Sequence, residues 1–139
     1  MPKFNFYFPI QVRYGDLDPQ WHVNNAHILT FIEQGRFAYL QALGLWNGKS
    51  FLDLPMIVAD VHVSYLAPIF FGQDLRVGVR ISRIGTKSLT FEYELEVTST
   101  GQVSTRAETV MVYYSYHTHA SVPVPDEWRK IINEYEGFA

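Results

Sequence analysis

One segment with helical spacing, set in a chain otherwise built on period-two alternation, restricts the possible folds more than any other feature. Between Asn25 and Leu43 the apolar residues Ile28, Leu29, Phe31, Ile32, Phe37, Tyr39, Leu40 and Leu43 recur at helical intervals, and Gly44 stops the run. The apolar positions go most of the way around, with His27, Glu33, Gln34, Arg36 and Gln41 as the main polar exceptions, so a buried helix is predicted. Everything around it reads as strand. In Ser88 to Thr98, Leu89, Phe91, Tyr93, Leu95 and Val97 share one face, while Glu92, Glu94 and Glu96 take the other as a solvated surface. Leu75 to Ile84 and Met56 to Leu66 are further strands, as is Val103 to Tyr116, whose run Val110 to Tyr114 predicts cover on both faces. Phe4, Phe6 and Phe8 mark an opening strand, and a short helix begins near Pro125 and Asp126. Turns at Pro68 to Gln73, Gly85-Thr86 and Thr100-Gly101 join the later strands. The order predicts an α+β plan, with an antiparallel sheet of about five strands curled around one long helix. One helix covers only one sheet face, so a second copy is expected against the open edge, making at least a homodimer.

Composition narrows the class. The 139 residues suit a single domain, 1–139, and 47% hydrophobic against 18% charged residues exclude disorder. A net charge of −3 with no basic stripe argues against nucleic acid. Zero cysteines exclude disulfides, thiolate metal sites and a Cys nucleophile. The N-terminal stretch is interrupted by Asn5 and Pro9 and does not read as a signal peptide, and no apolar run reaches the ~18 residues of a membrane span. A cytoplasmic protein is expected. Aromatic residues, 16% of the chain, need a core, an interface or a pocket to fill.

Chemistry concentrates in Val12 to Asn25, where Asp16, Asp18, His22, Asn24 and Asn25 crowd a loop leading into the buried helix. A helix start offers unpaired N–H groups and partial positive charge to an oxygen that is gaining negative charge. A carboxylate a few residues upstream can act on the same carbonyl, which suits hydrolysis of an activated acyl group.

The string D-L-D-P-Q-W-H-V-N-N from Asp16 to Asn25, with F-I-E-Q-G-R from Phe31 to Arg36, resembles the hotdog-fold acyl-CoA thioesterases of the 4-hydroxybenzoyl-CoA thioesterase type. The resemblance continues through Tyr65 to Leu75 and Arg83 to Leu95. It implies a hotdog fold and hydrolysis of an acyl-CoA to acid and coenzyme A without a further cofactor. Asp18 becomes the catalytic carboxylate, attacking the thioester to give a mixed anhydride or activating water, and the carbonyl-polarising N–H falls at about Asn25. Asp16 is expected to hold the loop or Arg13, with His22 and Asn24 bracing the loop and capping the helix. Lys87, with Ser88 beside it and Arg83 nearby, matches the position that meets coenzyme A phosphates. In the family the pocket lies between subunits, so Asp18 would meet His62 and Tyr65 of a second copy; tetramers are common there.

Three departures stand out. Trp21 occupies the family's usual Gly, where it would narrow the acyl pocket, line its mouth or redirect the loop. Ile28 replaces a helix Tyr, and His62 is expected either to face the acyl chain or to lie in the core or an interface. A metal site drawn from Asp16, Asp18, His22 and His27, or from His117 and His119, lacks ligand spacing, and no G-x-S-x-G elbow is present. The alternatives are a hydratase or dehydratase using His22 and Glu33, and a non-catalytic acyl-thioester-binding protein in which Trp21 blocks turnover.

Overall fold

The computed structural model describes residues 3–138. Strand β1 is Phe6–Gln11, β2 Met56–Tyr65, β3 Asp74–Ile84, β4 Ser88–Val97, β5 Val103–Ser115 and β6 Ala120–Ser121; helix α1 is Asn25–Ala42 and α2 Asp126–Glu136. The strands pair antiparallel in the order β1-β3-β4-β5-β2, with β6 added to β5. The sheet curls into a half-barrel carrying the two helices. Among the described residues no helix is long and apolar enough to cross a membrane.

The alternation read from sequence places the core. Val77 and Val79 of β3, Phe91, Tyr93 and Leu95 of β4, and Ala107 and Met111 of β5 are buried on the inner face. Helix α1 packs on β1 and β3. Its approach is set by Gly35, where a Cβ would stand 2.5 Å from Val77 Cγ1, closer than packed atoms tolerate. Helix α2 is fastened by Glu136, whose Oε2 accepts the Tyr39 hydroxyl at 2.5 Å and the Ile81 amide at 3.0 Å. That amide lies beyond the reach of β1, which pairs with β3 only as far as Val79.

Three expectations are corrected. Helix α1 is not buried all round: Leu29 is exposed together with Thr30, Glu33, Gln34 and Gln41, whereas Arg36, a polar exception in the sequence, is buried. The carboxylates of β4 are not simply solvated, because Glu92 pairs with Arg80, Glu94 with Arg106 and Glu96 with Arg76 across neighbouring strands. Of the run Val110 to Tyr114 only Met111 is buried, the others being half-covered.

Strand β2 forms one edge of the five-stranded path. Ile57, Val58, Val61 and Tyr65 are exposed along it. Its pairing with β5 slips at Ala59, so that Val58 faces Met111 but Asp60 faces Val110. This bulge reverses the parity of the strand: Met56 and Val58 point inward before it, and Val61, Val63 and Tyr65 after it.

Candidate active site

Asp18 is held by the turn it starts. Its N–H donates to His22 O at 2.8 Å, its C=O accepts from Trp21 N–H at 3.0 Å, and its Oδ1 accepts from Gln20 N–H at 2.8 Å and His22 N–H at 3.3 Å. Oδ2 accepts no hydrogen bond among the described residues, and the side chain is half-buried. The loop closes through a Leu17–Val23 bridge and is pinned to the segment after β2, with Val23 N–H donating to Ile69 O at 2.8 Å. The His22 ring stands edge-on to Phe70 at 5.0 Å and caps nothing; its hold on the loop is through its backbone.

The helix start follows directly. Asn24 caps α1, its Oδ1 accepting from Ala26 N–H at 2.8 Å, while Asn24 O takes the amides of His27 and Ile28. The Asn25 N–H is left as the first-turn amide without an acceptor among the described residues, and Asn25 is exposed. Ile28 is buried. Asp16, only 2% exposed, links these parts: Oδ2 accepts from Arg13 N–H at 2.8 Å, Oδ1 lies 2.8 Å from His27 Nδ1, and its backbone O accepts from Asn24 N–H. The Arg13 guanidinium stands off at 4.0 Å.

Trp21 adopts φ +66°, the left-handed region in which Gly is at ease and a bulky side chain costs about 1–2 kcal/mol. The loop keeps its turn, and the ring lies 64% exposed, edge-on to Tyr14 at 6.3 Å between centroids.

The remaining predicted residues divide. Tyr65 ends β2 on the side of the loop, exposed and opposite Thr105. His62 pairs with Glu108 on the outer, charged face, away from α1, because the bulge at Ala59 turns it there. Lys87 and Ser88 sit at the β3–β4 turn, with Arg83 just before it. That turn lies level with the beginning of β2, one strand away across β5, and β2, a strand of ten residues, puts it about 30 Å from the end that meets the loop. Within one chain the proposed phosphate contacts and Asp18 lie at opposite ends of the sheet.

The sequence did not reveal a cleft of about 360 Å³ lined by Glu33, Arg36, Phe37, Leu40, Phe51, Leu54, Met56, Val58, Met111 and Tyr116. Phe51 stacks on Trp46 at 5.1 Å and leans on Phe37 at 5.0 Å, forming one wall. Arg36 Nη1 donates to the Tyr93 hydroxyl at 3.3 Å, which lies 2.7 Å from Thr109 Oγ1. Burial pushes the Tyr93 hydroxyl pKa up, with Arg36 opposing. The signal available was the placement of Arg36 beside Gly35, the residue that must face the sheet. Among the described residues no three His, Asp or Glu side chains group as metal ligands.

Comparison with known proteins places this loop and sheet in context. The model of the thioesterase-like superfamily matches residues 12–132. The chain belongs to that superfamily. A thioesterase from Thermus thermophilus, solved with coenzyme A and Zn, is 31% identical, with a TM-score of 0.87 over 100% of this chain and 99% of its own. Protein YsmA of Bacillus subtilis is 26% identical over 94% of this chain and 86% of its own length. The long-chain acyl-CoA thioesterase FadM of Escherichia coli is 23% identical over 90% and 95%. The half-barrel with its helices is thus a superfamily trait, consistent with the hotdog fold.

Proposed function

We propose that the chain hydrolyses acyl-CoA thioesters to the free acid and coenzyme A, with Asp18 as nucleophile or general base and the Asn25 N–H polarising the carbonyl. The observation carrying this is the pairing of an anchored carboxylate, one oxygen of which is uncommitted, with an uncommitted amide at the start of α1 seven residues on. The coenzyme A bound to the Thermus relative and the activity of FadM support the substrate class. Thiol release from short, aryl and long-chain acyl-CoAs by wild type and Asp18→Asn tests it. Activity on none of them, or an equally fast Asp18→Asn, overturns the reading. The hydratase alternative finds less support, since Glu33 lies about 12 Å along α1 from the loop that carries His22.

The site is completed by a second copy. Antiparallel pairing of two β2 edges sets the beginning of one strand against the end of the other, so Arg83, Lys87, Ser88 and the cleft of one chain approach the Asp18 loop of its neighbour. The exposed apolar edge and the 30 Å separation within one chain favour this arrangement. His62 and Tyr65 then lie near that seam, and pairing of dimers into a tetramer is the further expectation. A sedimentation mass of 16.1 kDa, that of a single chain, contradicts it.

A further inference from the structure

Arg36 is 4% exposed, and its guanidinium is used on one edge only. Nη1 donates to Tyr93. The opposite edge, Nε with Nη2, is uncommitted: Nε has no acceptor among the described residues, and the nearest carboxylate oxygen to Nη2, Glu33 Oε1, stands at 3.8 Å, beyond hydrogen-bond reach. That edge is the one on which a guanidinium takes a carboxylate through two parallel N–H···O bonds. The cleft it lines is mostly apolar, with Phe37, Leu40, Leu54, Met56 and Met111 among its walls, and Glu33 and Tyr116 add the other polar groups.

We infer that Arg36 reads a carboxylate carried at the far end of the acyl group, so that the preferred substrates are monothioesters of α,ω-dicarboxylic acids. A mostly apolar wall with one buried cation, whose carboxylate neighbour Glu33 is largely solvent-facing, suits a methylene chain with an anionic tip. A plain hydrocarbon leaves the buried donor edge unpaired, and sites built around such donors discriminate against ligands lacking the acceptor. Nε is covered in the unliganded chain, so a ligand carboxylate reaches the full edge only as neighbouring side chains give way. Glu33, half-exposed and only loosely paired, is free to turn outward as the ligand takes its place.

The inference rests on the thioester-hydrolase reading but is tested apart from it. Matched pairs of adipoyl- and hexanoyl-, suberoyl- and octanoyl-, and sebacoyl- and decanoyl-CoA are compared by kcat/KM on wild type, Arg36→Lys and Arg36→Gln. Wild type is expected to favour the dicarboxylate of at least one pair by about tenfold or more, and both variants to bring that ratio to about one. In parallel, calorimetry compares monomethyl suberate with dimethyl suberate, which needs no turnover; the monoester is expected to bind wild type and not Arg36→Gln. Should Arg36→Gln fail to fold, Arg36→Lys and the wild-type ratios decide. A wild-type preference for the plain acyl group at every length, a preference surviving in the variants, or equal binding of the two esters overturns the inference. Arg36-dependent monoester binding without hydrolysis of any thioester overturns the hydrolase reading alone.

Discussion

The two ends of the half-barrel are built by different means. At the loop end, Asp16, Asp18, His22 and Asn24 tie the backbone by hydrogen bonds of 2.8–3.3 Å above a floor of Val12, Val23 and Ile69. At the cleft end, Phe37, Trp46 and Phe51 rest on one another and leave a volume of about 360 Å³. Directional bonds fix atoms, whereas stacked rings fix only a shape and let it adapt. A reacting carbonyl needs the first, and acyl groups of varied form are better served by the second.

The largest expected effect breaks the loop end chemically. Asp18→Asn preserves the turn, because an amide oxygen still accepts from Gln20 and His22, and should lower kcat by about a hundred- to ten-thousandfold with an unchanged melting temperature. A parallel fall in stability would mean that its role is structural. Asp16→Ala should act the other way, removing the partner of His27 and of the Arg13 amide at a cost of about 2 kcal/mol in urea unfolding, with the lost activity following the lost loop geometry.

Smaller effects sharpen the contrast. Phe51→Ala should cost only about 1 kcal/mol, yet shift the acyl-length profile, since Phe51 is 62% exposed and shapes the cleft. An unchanged profile would separate the cleft from the substrate. Trp21→Gly relieves the left-handed strain but gives up the ring contact with Tyr14, so thermal melting should show a gain of about 0.5 kcal/mol. A loss would show that the contact outweighs the strain.

The last effect appears in alkali. Burial and the bond to Glu136 raise the Tyr39 pKa far above its ordinary value. The folded state keeps this proton while the unfolded chain loses it near pH 10, so the contribution is intact below about pH 10 and declines as pH rises further. Tyr39→Phe should flatten the fall in unfolding free energy above about pH 10.

Strands β3 and β4 were legible because they alternate over most of their ten or so residues, whereas the two-residue β6 carries no pattern, and α1 was legible within a residue of its end. The loop's chemistry could be read because polar residues crowd one short segment. Arg36 could not: a charge on a helix suggests solvent, and only the close packing at Gly35 shows that this face turns inward. The position of His62 escaped for another reason, since counting by twos assumes an unbroken ladder and Ala59 breaks it. The backbone of Trp21 was foreshadowed by the Gly expected there, but where its ring would lie was not.

The bulge at Ala59 also bears on how such a sheet can diversify. Substitutions in β2 alter one wall position at a time, but a slip that took Ala59 into the ladder opposite Val110 would bring His62 and Ser64 to the inner face and send Val61, Val63 and Tyr65 outward, whereas loss of residue 59 would leave their present pairing intact. The lining of the barrel near its open edge is therefore open to wholesale exchange by a one-residue slip in register, a larger step in ligand chemistry than point mutation offers.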